Sequence, residues 1–483
     1  MKRFILNIIA IAALSTLQAC KKDLNALREN SRVAEVAIVD AKTAEIALNG
    51  AYANFANVAS SLSSTSSGGI PRTNWTSHER YPAMFAGYLG YGYGQLPEEE
   101  NQTSGDGSVY WEEEYRLLNA VNGALKGVSS LPGEAFTGSR RAEIVAELHF
   151  LRAYAHFKLL SFYGQWFDVN SAYGVLLRDA PSTKSNIFKA RSTVKESYDF
   201  IVTDLEDAIA NAPAARPNYY ATKWAAMLLK MRVLISRGAA ADYTEVINLA
   251  DKIIQNGTYT LEADVKDIFH TKGLASKEVI LGLKSQPNQE KDYYSRSAQF
   301  WPGASAIFVA KGTLKNLLAN DPRQAWMIGS ANPYSSYSPN TFYFTKYMIQ
   351  GGTPTTVSET FYAMRLSEVY LLKAEAIVRS GGNLGDAKTI LKTVMGHAGV
   401  TDFTAVDNAN TPADLLLQIY YENSKNLVAE DGQEWLSLLR LGLNTVKQLR
   451  PTIITQAQYI LPIPHSEFIY NPTIGAQNPG YSK

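Results

Sequence analysis

Residues 364–397 read MRLSEVYLLKAEAIVRSGGNLGDAKTILKTVMGH, and this stretch decides the fold class. Leu371, Ala374 and Val378 recur at three- and four-residue steps, which predicts a helix over 364–380 with one apolar side. Gly381-Gly382 ends it, because glycine enters the left-handed conformation of a helix terminus without a side-chain clash. A second helix over 384–397 follows at once, so the two form a hairpin. Residues 219–237, with a helix starting at Asp242 and ending near Gly257, repeat the arrangement. Such spacing points to tetratricopeptide-like hairpins. The consensus signature of that repeat is absent, and an irregular helical bundle is the alternative.

Working outward, residues 139–163 carry Leu148, Leu151, Ala155, Leu159 and Phe162 as one stripe. Thr193 and Glu196 form a capping box for a helix running to about Ala210. Thr411-Pro412-Ala413-Asp414 combines an N-cap, a first-turn proline and a first-turn acid. Residues 33–57 and 110–131 complete the helical set. The chain has 483 residues, 46% of them apolar and 19% charged, enough for a large core and too apolar for disorder. A formal charge of +1 argues against a polyanion binder.

Two regions interrupt the helices. Residues 60–107 are rich in Ser, Gly, Tyr and Pro. Residues 284–358 are similar and hold Trp301, Trp326, Tyr334, Tyr337 and Tyr343. Loops this long are usually functional or disordered, and their aromatics argue against disorder. Val279-Ile280-Leu281 and Phe342-Tyr343-Phe344 read as short strands.

The first residues read as an address. Lys2 and Arg3 precede an apolar run from Phe4 to Leu17, too short to span a bilayer and fit for export. Leu17-Gln18-Ala19-Cys20 resembles a bacterial lipobox. Cys20 is the only cysteine, so it cannot form an internal disulfide, and acylation would consume its thiol. The expected organisation is a signal peptide over 1–19, a lipidated tether over 20–32 and one domain over 33–483. No later run is long and apolar enough to span a membrane, so the lipid is the expected anchor.

Catalytic and nucleotide motifs are missing. Gly90-Tyr91-Gly92-Tyr93-Gly94 lacks the spacing and the following helix of a phosphate loop, and HExxH and GxSxG do not occur. His149 and His156 lie seven residues apart on one helix, too far for one metal ion, and read as packing residues. Glu98-Glu99-Glu100 and Glu112-Glu113-Glu114 leave a structural calcium ion open but read better as solvated runs, the second at a helix start. No cofactor is expected.

The ordered landmarks resemble the SusD/RagB family of outer-membrane lipoproteins. Ala47-Leu48-Asn49-Gly50-Ala51-Tyr52 is similar to its GAY helix, and Trp111 to Asn122 to its W…Y…I…N helix. Ala146-Glu147-Leu148-His149-Phe150-Leu151-Arg152-Ala153 resembles AExxFLRA, with Phe162-Tyr163-Gly164 as its ending. Asp204-Leu205-Glu206-Asp207-Ala208 resembles DLxxA, Asp321-Pro322-Arg323 the DPR motif, and Arg365 to Ala376 RxAEVYLxxAEA. Leu461-Pro462-Ile463-Pro464, Asn471-Pro472 and Gln477 to Tyr481 resemble the family ending. Two stretches depart from it. The ER pair reads Glu422-Asn423, and GxRxxDLxR reads Gly432 to Arg440 with Glu434 and Ser437 at charged positions, which questions a local ion-pair network.

The resemblance implies a mainly α fold in which tetratricopeptide-like hairpins scaffold a loop-rich region with small β elements. It also implies a non-enzymatic protein of the outer membrane, exposed at the cell surface, that captures oligosaccharides alongside a TonB-dependent transporter. A peptide or other non-glycan nutrient on the same scaffold is the alternative. Sugars offer apolar C–H faces to aromatic rings, so the candidate contacts are Trp75, Tyr81, Tyr88, Tyr91 and Tyr93 from the first region and Trp301, Tyr337 and Tyr343 from the second. Both regions are expected to meet on the face away from the repeats, with Trp75 and Trp301 as preferred anchors because indole has the largest flat face.

Overall fold

Capping chemistry sets the helix boundaries much as the sequence predicts. The structure, a computed structural model, describes residues 38–60, 70–94, 108–292, 295–300, 307–334, 336, 338–349 and 351–482. In chain order the helices are α1 (Ala41–Phe55), α2 (Thr76–Phe85), α3 (Val109–Ser130), α4 (Arg140–Tyr163), α5 (Val194–Asn211), α6 (Lys223–Arg237) and α7 (Ala240–Gln255). The short α8 (Arg296–Phe300), α9 (Gly312–Leu317) and α10 (Gln324–Met327) follow. Then come α11 (Leu366–Arg379), α12 (Leu384–His397), α13 (Thr404–Asp407), α14 (Pro412–Leu427), α15 (Gln433–Leu439), α16 (Leu443–Leu449) and α17 (His465–Tyr470). Thr193 and Glu196 form the capping box of α5, and the Thr411 hydroxyl accepts from Asp414 N–H at the start of α14. Helix α7 starts two residues before Asp242. That carboxylate sits in the first turn and accepts from Ala239 N–H, the reverse of an N-cap.

Neighbouring helices pack in sequence order: α3 on α4, α4 on α5, α5 on α6 and α6 on α7. The next partner of α7 is α11, which packs on α12 and α14. Residues 256–365 are thus an excursion between two repeats whose helices stay in contact. Helix α4 is the centre. Ala153 to Tyr163 are buried on every side, as expected where helices surround a helix. Leu148, Leu151, Ala155 and Leu159 are fully buried, and Leu371, Ala374 and Val378 join Leu391, Val394 and Ile419 in a second core.

The excursion and the first loop region build the β structure. Strands β1 (Ala59–Ser60) and β2 (Pro71–Arg72) make a small pair. Strands β3 (Leu89–Tyr91), β5 (Phe308–Lys311), β7 (Thr341–Phe344) and β6 (Ile328–Ala331) form an antiparallel sheet in that order. Strands β4 (Val279–Leu283) and β8 (Phe361–Arg365) form a buried ribbon leading into α11. The four-stranded sheet rests on α2, α8, α9 and α10. Residues 70–94, within the stretch read as a loop, therefore carry regular structure. Helix α2 hides in them because Pro82 and the surrounding Ser and Gly mask its pattern.

The landmarks that resemble family motifs meet one another. Tyr52 donates to Glu147 at 2.8 Å, and Arg152 clasps Asp204 with two hydrogen bonds. Buried Arg323 bridges Asp321 and Glu422, and buried Arg365 bridges Glu278 and Glu430. Asn478 donates to the Tyr163 carbonyl. A buried charge persists only when paired and hydrogen-bonded, so these residues serve the frame.

Candidate functional site: a tyrosine cluster on the four-stranded sheet

The two loop regions do meet, through backbone pairing. Leu89, Gly90 and Tyr91 of β3 lie opposite Ala310, Val309 and Phe308 of β5, and β5 pairs in turn with β7. The side chains of Asn332 and Ser338 complete the junction. Asn332 Nδ2 donates to Gly92 O at 2.9 Å, and Ser338 Oγ donates to Tyr91 O at 2.8 Å. Asn332 Oδ1 accepts from Tyr334 N–H, fixing where that ring begins. Asn340 turns the chain with a left-handed φ of 55°, and a Cβ at Gly312 would stand 2.0 Å from its amide nitrogen. Glycine leaves the Asn340 side chain room for this approach.

Here the rings of Tyr91 and Tyr93 lie 5.6 Å apart, and those of Tyr93 and Tyr334 lie 4.6 Å apart at 43°. Tyr334 is 36% exposed, and Tyr91 and Tyr93 are half-buried. Tyr343 is buried beside them. Burial, followed by the neighbouring phenols of Tyr334 and Tyr93, raises its hydroxyl pKa. Half-wet rings with phenolic hydroxyls can pack on an apolar ligand face and bond its polar rim.

The other predicted contacts lie elsewhere. Trp75 is wholly buried, stacked on His78 at 4.3 Å and edge-on to Phe55. It is not a surface anchor: in a segment of small residues, the large ring is what pins the chain to the core. Tyr81 and Tyr88 are also buried, Tyr88 sharing a 2.6 Å hydrogen bond with Tyr420. Trp301, Tyr337, Cys20 and Glu98-Glu99-Glu100 lie outside the described residues. Tyr334 belongs to the site, yet the sequence marked it only as one more tyrosine in a loop. Nothing local signals which strand register brings it to Tyr93.

The remaining polar candidates are structural. His156 accepts from Arg178 N–H at 3.0 Å, and burial pushes its pKa down to about 3. His149 meets Asp207 at 2.7 Å. Glu112 sits in the first turn of α3, but Glu114 is buried rather than solvated. Among the described residues no group of three His, Cys, Asp or Glu is placed to hold a metal ion. Among them also, no helix is long and apolar enough to cross a membrane.

A helical-repeat frame that presents an aromatic loop face defines a class of binding protein, and comparison with known proteins specifies it. Residues 31–234 match the family described as starch-binding, associating with the outer membrane, and residues 324–451 match the SusD family. The chain belongs to the SusD/RagB family, whose members are outer-membrane-associated, non-catalytic binding proteins. It is 22% identical to SusD-like protein P2 of Formosa agariphila, over 80% of this chain and 84% of that one. A SusD superfamily protein of Bacteroides thetaiotaomicron superposes with a TM-score of 0.71 at 22% identity, covering 91% of this chain and 100% of that one. A laminarin-binding SusD-like protein superposes with a TM-score of 0.70 at 20% identity, over 92% and 100%.

Proposed function

We propose that this protein captures oligosaccharides at the cell surface with the tyrosine cluster, while a lipid on Cys20 holds it to the outer membrane. It then acts with a TonB-dependent transporter that imports the bound glycan. Family membership supports carbohydrate binding in general, and the laminarin-binding relative supports it on this fold. The observation that carries the reading is the approach of Tyr93 and Tyr334. These rings come from regions more than two hundred residues apart and meet at a partly open surface. A pyranose face packs on such rings, and the hydroxyl rim meets their phenols.

The experiment is calorimetry of the purified chain against a panel of oligosaccharides and peptides, with Tyr93→Ala and Tyr334→Ala alongside. Saccharide binding that weakens in both variants at unchanged melting temperature supports the reading. Binding of peptides alone would replace it.

A further inference from the structure

An open pocket of about 360 Å³ lies apart from the tyrosine cluster and shares no residue with it. Its walls are residues 272–275, 284–287, 356, 357 and 360. That volume falls in the range of ligand sites, about 300–1,000 Å³. Leu274 and Val357 give it an apolar side, and Gln286, Thr356 and two lysines give it a polar one. The geometry is built in. A Cβ at Gly282 would stand 2.5 Å from Leu274, so glycine lets that wall close against β4. Asn218 donates to Leu274 O at 2.8 Å and accepts from Gly282 N–H through its carbonyl, which fixes the neighbouring Tyr219.

The charge in this pocket is one-sided. Among the described residues, no Asp or Glu lines it. The Lys272 ammonium is already held by Glu262 at 2.5 Å. Lys284 differs. Among the described residues its ammonium has no carboxylate within ion-pair distance and lies 5.5 Å from the Tyr219 ring centroid. A half-buried ring at that distance is a weak partner for a cation compared with an anion. An ammonium, an amide and hydroxyls around an apolar wall suit a sugar that carries a negative group.

We infer that this pocket is a second glycan subsite, selective for an anionic sugar whose carboxylate or sulfate pairs with Lys284. A lysine is a compact point charge and does not itself distinguish planar carboxylate from tetrahedral sulfate. The inference rests on the glycan-binding reading for the sugar body, and on the pocket for the charge.

The test is an array of matched neutral, uronate-containing and sulfated oligosaccharides, probed with the wild type, Lys284→Gln and Tyr93→Ala. The wild type should favour charged members over their neutral matches by about tenfold, the size of one charge-assisted hydrogen bond. Lys284→Gln should bring that ratio close to one at unchanged melting temperature. Tyr93→Ala should weaken charged and neutral members together. Whether uronates or sulfates lead identifies the natural group. Equal binding of charged and neutral matches by the wild type, or an intact preference in Lys284→Gln, overturns the subsite and leaves the glycan reading standing. Competition by inorganic sulfate without any dependence on sugar also overturns it. Absence of binding to every oligosaccharide removes both.

Discussion

Ser437 Oγ donates to Asn423 Oδ1 at 3.2 Å inside the core between α14 and α15. These are two of the three positions where the chain departs from the charged ER and GxRxxDLxR patterns, Glu434 being the third. The arginine and the aspartate are both replaced, and the neutral substitutes bond each other. Where the family pattern has two charges, this chain thus has a buried polar pair. Such an exchange is near neutral when both partners change, whereas one charge alone is left uncompensated.

Ser437→Asp should therefore destabilise the fold by about 3–5 kcal/mol, the cost of a buried charge without its partner. Adding Asn423→Arg should recover most of that loss. Urea denaturation of both variants measures the coupling, and equal stability of the single and double variants would contradict it.

Glu434 stands where the family pattern has a basic residue. It is fully buried, and its Oε1 accepts from Ala429 N–H. Burial pushes its pKa up to about 8. The folded state therefore holds this proton after the unfolded chain releases it. The resulting stability cost is absent below about pH 4.5, grows as pH rises, and is complete above about pH 8. Glu434→Gln should remove that dependence and raise the melting temperature at pH 8 relative to wild type, with a smaller difference at pH 5. Melting curves across this range check the sign.

Leu151 is fully buried in the centre of α4. Leu151→Ala should cost about 2–5 kcal/mol through lost transfer energy and the cavity left behind. Trp75→Ala should likewise lower stability, by about 3–5 kcal/mol, because its ring belongs to the core. Chemical denaturation measures both.

Tyr93→Ala and Tyr334→Ala should each weaken oligosaccharide binding by about 1–3 kcal/mol, the range for exposed stacking platforms. Their melting temperatures should stay within a degree or two of wild type. Titration calorimetry and thermal melts separate this pattern from a folding defect.

Cys20→Ser should abolish lipid labelling and leave the leader uncleaved. Metabolic labelling with a fatty acid, followed by membrane fractionation, checks it. A variant that still carries lipid would overturn the reading of residues 1–20.

Much of the frame is legible in the sequence because its signals are local. The Thr193 and Thr411 caps, the Leu148-Leu151-Ala155-Leu159 stripe and the 364–397 hairpin each depend on residues a few positions apart. So does the prediction that Leu371, Ala374 and Val378 face another helix. What the tertiary structure alone decided is which aromatic rings stay at the surface. Trp75 and Tyr93 sit in similar Ser-, Gly- and Tyr-rich surroundings, yet one is stacked in the core and the other is half-buried beside Tyr334. The difference arises from the pairing of β3 with β5, and of β5 with β7, across more than two hundred residues of chain. Burial is a property of what packs against a residue, and a strand register set by distant partners leaves no trace in the residues beside it.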